Sequence, residues 1–179
     1  MSEQALFNVV LHEPEIPNNT GNIGRTCIAT GCGLHLIHPL GFSTSEKECR
    51  RAGLDYWPRL NPTEHAHWDA FVSWEHERHV TRPARGLESR LWVFSTKGHR
   101  PVWDAHLARG DVLLFGKETS GLPDAVLHRY PDRLVTLPMR PRERSLNLAT
   151  AVCAAIYEGI RQLSERGAIS IDAHGRLVL

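Results

Sequence analysis

The 179-residue sequence has almost no excess of charge of either sign and lacks the segments that carry a chain to a membrane. Lys and Arg number 21 against 20 Asp and Glu, a net charge of +1, which excludes binding of nucleic acid by bulk charge but not by a local basic patch. The N-terminus shows no secretory signal, and no apolar run approaches the about 20 residues of a membrane helix. We therefore expect a cytoplasmic protein with no membrane partner.

Closely spaced cysteine pairs are also missing. Cys27, Cys32, Cys49 and Cys153 form no C-x-x-C motif, which favours free thiols of a cytosolic protein. Histidine is frequent, with 11 residues, and the His-rich segment 65–79 raises the alternative of a zinc site. Zinc sites usually draw on Cys/His pairs held by a rigid turn, so we expect no metal and a solvated polar surface from residue 65 to 90.

The first third of the chain has the pattern of a β-α-β unit. Residues 5–11 form a short apolar run typical of a strand, and residues 34–37 form another. Between them we predict a helix from Thr20, with Asn18, Asn19 or Thr20 as its N-cap and Gly31 or Gly33 as its stop. Such a crossover implies parallel strands.

The rest of the sequence continues this alternation. We predict a helix near 46–52, strands at 91–95, 112–115 and 134–137, and a final amphipathic helix from about Ser145 to Arg166 that Gly167 ends. The tail 168–179 is predicted as a short hairpin or a loose segment. One α/β domain over residues 1–179, a parallel sheet with flanking helices, is the expected architecture.

Three polar or glycine-rich loops directly follow predicted strands, where parallel sheets bind ligands. None of them has the spacing of a dinucleotide turn or a P-loop, and the sequence has no G-x-S-x-G elbow. Gly116 and Gly121 would allow a nucleoside-like cofactor to approach the backbone. Arg140, Arg142 and Arg144 form a cluster suited to phosphate, with a solvated charged loop as the alternative.

Taken together, the three loops resemble those of the SPOUT superfamily of methyltransferases, in its RNA 2′-O-ribose branch. The matching segments are NTGNIGR at 19–25, FGKETSGLP at 115–123, and LPM at 137–139 with SLNLATAV at 145–152. The resemblance covers about Leu6 to Gly167. The opening EPEIPNNTGNIGR and the run RRAGLDY at 50–56 are most similar to the methyltransferases of the tRNA wobble nucleotide, cytidine or uridine 34.

This resemblance implies a deep C-terminal trefoil knot, S-adenosylmethionine as cofactor, tRNA as partner and a homodimer. Pattern arguments alone would not predict a knot, because knots are almost absent among protein folds. Methylation of another tRNA or rRNA nucleotide remains an alternative, as does a non-catalytic SPOUT-like module that binds RNA.

The resemblance also assigns roles to individual positions. For the cofactor it implies Phe94, Thr96, Gly116, Glu118, Leu137, Ser145 and Leu146. The catalytic candidates are Arg25, Ser145 and Asn147, and the RNA-binding candidates are Arg50, Arg51, Arg140, Arg142 and Arg144. A guanidinium whose pKa lies above about 12 is a poor base at neutral pH, so we expect Arg25 to position a phosphate and the ribose rather than to take the proton.

Overall fold

The computed structural model describes residues 5–45, 47, 49, 54–79 and 86–179. Seven parallel strands form one sheet in the order β3-β2-β1-β6-β4-β7-β5. The strands are β1 Asn8–His12, β2 Gly33–Ile37, β3 Thr63–His65, β4 Leu91–Phe94, β5 Arg100–Pro101, β6 Val112–Phe115 and β7 Leu134–Thr136, followed by an antiparallel hairpin of β8 Ser170–Ile171 and β9 Leu177–Val178. The helices are α1 Pro17–Thr30, α2 Trp57–Leu60, α3 Trp68–His79, α4 Leu87–Arg90, α5 Asp124–Arg129 and α6 Leu148–Glu165, with 3₁₀ turns at Val102–Asp104 and Pro131–Arg133.

The predicted parallel α/β architecture is confirmed, and the tail forms the hairpin. Two helix starts were misplaced: α1 begins at Pro17 rather than Thr20, and α6 begins at Leu148 rather than Ser145. Gly31 ends α1 in a left-handed conformation, with φ of 71°, as predicted. The helix predicted near 46–52 lies largely outside the described residues. The knot stays a prediction.

Two hydrophobic cores lie on opposite faces of the sheet. Because side chains alternate along a strand, Val9 and Leu11 of β1 belong to one core and Val10 belongs to the other. The first core packs against α1 and α6, and the second packs against α3 and α5. Burial on both faces explains why these strands are continuous apolar runs.

The stretch 65–79 is only in part the solvated surface that composition predicts, and residues 80–85 lie outside the described residues. His65 ends β3 and is buried, and its Nε2 lies 3.1 Å from Nδ1 of buried His35. Glu75 of α3 and Arg90 of α4 are also buried and form an ion pair of 2.7 Å. Arg90 further donates to the Gly110 carbonyl at 3.0 Å. His65, Glu75 and Arg90 each find a polar partner in the folded chain, so a polar composition is compatible with burial of part of this stretch.

The buried histidines should make stability depend on pH. Burial lowers the pKa of His65 and of His12 from their ordinary value of 6.5. As the pH falls, the two histidines therefore become protonated at a higher pH in the unfolded chain than in the folded one. The free energy of unfolding should then fall as the pH drops below about 6.5. Each histidine can contribute a slope of at most about 1.4 kcal/mol per pH unit. Urea unfolding from about pH 5 to about pH 7.5 measures this slope.

His65→Gln should flatten the pH dependence, because it removes one of the titrating groups. His76→Gln is the matched control, since His76 is an exposed histidine of α3. Equal slopes in the wild type and in His65→Gln would contradict the prediction.

Candidate active site

A cavity of about 430 Å³ lies at the carboxyl ends of β4, β6 and β7. Its lining comes from the ends of these three strands and the loops that follow them, with further residues from α5, from the first turn of α6, and from Ile16 and Asn19 at the start of α1. Neighbouring parallel strands end at the same edge of a sheet, so loops far apart in sequence meet there. We call this space the cofactor-loop cavity.

All seven positions predicted to bind the cofactor line this cavity: Phe94, Thr96, Gly116, Glu118, Leu137, Ser145 and Leu146. The rings of Phe94 and Phe115 stack within it, with centroids 4.5 Å apart and planes 15° apart. Apolar side chains and loop backbone thus form the walls. A flat, partly apolar ligand with polar edges fits such a lining.

Gly116 is required for a different reason from the one predicted. A Cβ at this position would lie 2.2 Å from the carbonyl carbon of Gly121 and 2.3 Å from the nitrogen of Leu122. The glycine therefore allows the loop to fold back on itself rather than allowing a ligand to approach. Gly121 has φ of 72° and nothing within 4 Å of an added Cβ, so the open space of this loop lies there.

The carboxylate of Glu118 holds the start of α1. It accepts hydrogen bonds from the backbone nitrogens of Glu15 at 2.9 Å and Ile16 at 3.3 Å, and from Nδ2 of Asn19 at 2.9 Å. The predicted caps Asn18, Asn19 and Thr20 were wrong: the N-cap is Ile16, which makes no side-chain cap. An acid from a distant loop supplies the negative charge that a helix N-terminus favours.

The first motif segment, residues 19–25, lies on α1 rather than in a loop, and its Asn19 joins it to the loop before α6. Its Oδ1 accepts a hydrogen bond of 2.9 Å from Nδ2 of Asn147. Asn147 is the N-cap of α6, and its Oδ1 accepts from the backbone nitrogens of Ala149 at 2.9 Å and Thr150 at 3.2 Å. A continuous chain Glu118–Asn19–Asn147 therefore ties the three motif loops together at the cavity.

Replacing Asn147 by alanine should destabilise the protein by about 1–2 kcal/mol, because two N–H groups of α6 lose their acceptor. Asn147→Asp keeps an acceptor for the helix and loses the amide donor to Asn19, so it should cost less. Chemical denaturation of both variants measures the difference. An alanine variant as stable as the wild type would contradict the capping role.

Ser145 lies on the cavity wall rather than at the helix end, because Asn147 is the cap. The loop before it exposes Arg140, Arg142 and Arg144 to solvent, and none of the three forms an ion pair within the described part of the chain. Only Arg144 of this cluster lines the cavity. Arg50 and Arg51 lie outside the described residues.

Arg25 is separate from the other two catalytic candidates. It is exposed on α1 and lines a second cavity, and it does not line the cavity that Ser145 and Asn147 share. Its guanidinium carbon lies 5.2 Å from the centroid of the Tyr56 ring, a cation–π contact. The Tyr56 hydroxyl donates to the Gly21 carbonyl one turn earlier on α1. Burial raises the pKa of Tyr56, and the Arg25 guanidinium opposes that shift.

Comparison with known proteins agrees with this geometry. The family model described as the SpoU rRNA Methylase family matches residues 6–157. This chain belongs to the SpoU methylase family. A protein of Saccharophagus degradans named tRNA (cytidine(34)-2'-O)-methyltransferase is 45% identical over 163 residues, which are 90% of this chain and 99% of the relative.

Two solved structures extend the comparison of this SpoU methylase. One of them concerns the 2-OH methylation of C/U34 on tRNA. It superposes with a TM-score of 0.76 and is 44% identical in sequence, and the match covers 89% of this chain and 97% of that protein's chain. The other is the SpoU methyltransferase AviRb from Streptomyces viridochromogenes in complex with the cofactor AdoMet. Its TM-score is 0.77 and its sequence is 26% identical, and the match covers 91% of this chain and 62% of the AviRb chain.

Sequence reasoning missed two cations of the SpoU methylase that line the cofactor-loop cavity. Lys117 pairs with Glu13 at 2.8 Å, and this hydrogen bond raises the pKa of Lys117. Lys97 pairs with Asp124 at 2.8 Å, and the pair lowers the pKa of Asp124. Lys97 and Lys117 each lie two residues after the end of a predicted strand, which is the signal that would have found them.

No candidate zinc site is found in this SpoU methylase among the described residues. Within those ranges, no group of three or more His, Cys, Asp or Glu side chains could hold a metal ion. All four cysteines are free thiols, and three of them are buried. None of the helices that the structure describes is long and apolar enough to span a membrane.

Proposed function

We propose that this SpoU methylase transfers a methyl group from S-adenosylmethionine to the 2′-oxygen of the wobble ribose, C34 or U34, in the anticodon loop of tRNA. The convergence of the three motif loops on one cavity carries the proposal. The names of relatives that match nearly their full length support the choice of nucleotide.

The cofactor-loop cavity fits S-adenosylmethionine by the chemistry of its lining. Phe94, Leu137 and Leu146 offer apolar surface for the adenine, and the backbone around Gly121 offers amides and carbonyls for its edge. Arg144 and the two lysines at the same cavity suit the carboxylate of the methionine part. When bound, the cofactor supplies an electrophilic methyl group.

The residues of the chain then have to align the ribose and let one proton leave. Glu118, Asn19 and Asn147 hold the loops in place, so the cavity is formed before the RNA arrives. Arg25 is exposed and free to contact a phosphate next to the ribose, which orients the 2′-oxygen toward the cavity. A positioned guanidinium serves this purpose without acting as the base.

Binding of tRNA should be local and electrostatic, because the net charge is only +1. The double variant Arg140→Ala with Arg142→Ala should weaken binding and lower the log–log salt slope by about one unit for each phosphate that the protein no longer neutralises. Arg50→Ala with Arg51→Ala should act in the same way. Filter binding across a salt series gives the slopes, and an unchanged slope would show that these arginines are only solvated.

A homodimer is part of the proposal. Helix α6 packs against α1, and its outer face exposes Tyr157, which is 55% accessible, beside the small residues Thr150 and Ala154. Small residues around one exposed aromatic suit a two-fold symmetric interface. The cytoplasm, where tRNA is processed, stays the predicted location.

The deciding experiment is to incubate the protein with unmodified tRNA and labelled S-adenosylmethionine and to map the methylated ribose. Label at position 34 supports the proposal. Label at another tRNA or rRNA nucleotide would assign the alternative substrate, and binding of tRNA without transfer would assign a non-catalytic module.

A further inference from the structure

Glu15, which lies just before α1, forms hydrogen bonds in both directions with the loop after β6. We call residues 116–122 the β6 loop, and all of them line the cofactor-loop cavity. The Glu15 carboxylate accepts two hydrogen bonds of 3.1 Å from Thr119, one from its backbone nitrogen and one from its Oγ1. The Glu15 backbone nitrogen in turn donates to the Glu118 carboxylate at 2.9 Å. Both hydrogen-bond donors of Thr119 are thus directed to one side chain, 104 residues away in the sequence.

The base and the tip of the β6 loop are held by different contacts. The base is closed by the backbone of the loop itself, because the Gly121 nitrogen donates to the Lys117 carbonyl at 2.9 Å. The tip, residues 118–120, is tied by the Glu118 and Thr119 side chains to the segment that begins α1. The position of the tip at the cavity therefore depends on the acceptors that Glu15 provides.

Glu15 is itself fixed by its neighbours. A Cβ at Gly41 would lie 2.6 Å from the Glu15 carbonyl oxygen and 2.8 Å from its Cα, so the two backbones pack closely together. The Gly41 nitrogen also donates to the Pro14 carbonyl at 3.0 Å. An acceptor that is held in place before the ligand binds reduces the entropy lost on binding, and its negative charge strengthens the hydrogen bonds that it accepts.

We propose, resting on the proposed function, that Glu15 is a positioning residue for S-adenosylmethionine and acts through Thr119. Glu15 does not line the cavity, so its effect on the cofactor has to pass through the β6 loop. Without this carboxylate the tip of the loop is closed for only part of the time, and the apparent affinity falls by the same fraction. Saturating cofactor restores the closed loop, so the rate of the transfer step stays the same.

The test measures binding of S-adenosylhomocysteine by calorimetry, in the absence of RNA. Glu15→Ala should weaken binding about fivefold to tenfold, because both hydrogen bonds from Thr119 are lost. Thr119→Val removes only the hydroxyl and should weaken binding about twofold to threefold. The double variant should bind no more weakly than Glu15→Ala alone, because the two residues form one contact. Glu15→Gln keeps a carbonyl acceptor and should recover part of the affinity.

Glu77→Ala is the matched control, because it removes the same charge from an exposed position of α3. Its affinity for S-adenosylhomocysteine should equal that of the wild type. In transfer assays with Glu15→Ala, KM for S-adenosylmethionine should rise together with the dissociation constant while kcat stays within about twofold. A general loss of stability would lower the melting temperature without producing this split between KM and kcat.

Unchanged affinity in a folded Glu15→Ala variant, losses that add up in the double variant, or a fall in kcat at saturating cofactor would overturn the inference. Where Glu15→Ala fails to fold, Thr119→Val decides alone, since Thr119 is exposed, and an unchanged affinity in that variant would overturn the inference. The binding experiment contains no RNA. The expected losses of affinity, found together with no methylation at position 34, would refute the proposed function and leave the role of Glu15 supported.

Discussion

Replacing Arg25 by alanine is expected to lower methyl transfer by about 10²–10³-fold, the usual effect of removing one positioned charged group from a reaction site. Affinity for S-adenosylhomocysteine should stay within about twofold of the wild type, because the substitution affects the binding of the RNA only. The separation of the two cavities is the reason, since Arg25 lines the second cavity and the cofactor-loop cavity is formed by other residues. Single-turnover transfer and calorimetry measure the two effects.

Arg25→Lys is the informative companion, because it keeps the charge and loses the planar group that lies against Tyr56. It should recover only part of the activity. An equal loss of cofactor affinity and of transfer rate in Arg25→Ala would show that Arg25 contributes to cofactor binding and would contradict the prediction.

Gly116→Ala is expected to abolish cofactor binding and to lower the melting temperature strongly. A single methyl group is enough, because the added carbon would lie within about 2.6 Å of three backbone atoms of Gly121 and Leu122, and backbone cannot move aside as a side chain can. The loop from β6 to α5 must then open, and Glu118 leaves its hydrogen bonds to α1. Thermal unfolding and calorimetry with S-adenosylhomocysteine measure both consequences.

Gly121→Ala is the matched control, because it introduces backbone strain without the steric clash expected in Gly116→Ala. Its φ of 72° makes alanine unfavourable by about 1–2 kcal/mol, but nothing lies within 4 Å of the new carbon. This variant should fold with a modestly lower melting temperature. Similar melting temperatures for the two alanine variants would refute the collision at Gly116.

The order and spacing of the three motifs were sufficient to predict which loops meet. Each motif follows a parallel strand, so its position on the sheet edge follows from the strand pattern. The seven cofactor positions were implied by the family resemblance, and all of them line one cavity. The predicted start of α6 near Ser145 did not identify Asn147 as the N-cap, although asparagine before an apolar periodic run is a helix-start signal.

Other roles depend on neighbours that are distant in sequence. Glu118 caps α1 from a position about one hundred residues away, and Asn19 connects it to Asn147. Nothing in the local pattern of Asn19 distinguishes this role from a helix cap. The buried ion pair of Glu75 and Arg90 could not be predicted from sequence for the same reason, because two charges are buried only where the fold brings them together.

Sequence patterns predicted the five strands β1, β2, β4, β6 and β7, their parallel arrangement and the loops where a ligand would bind, because hydrophobic periodicity and turn residues act over a few positions. They missed the short edge strands β3 and β5. The folded chain was needed to show that backbone of Gly121 and Leu122 fills the space beside Gly116, that the His-rich segment is partly buried, and that Arg25 lines a second cavity. These properties depend on atoms from separate segments lying within a few ångströms, and such proximity is a property of the packed chain, which no local pattern encodes.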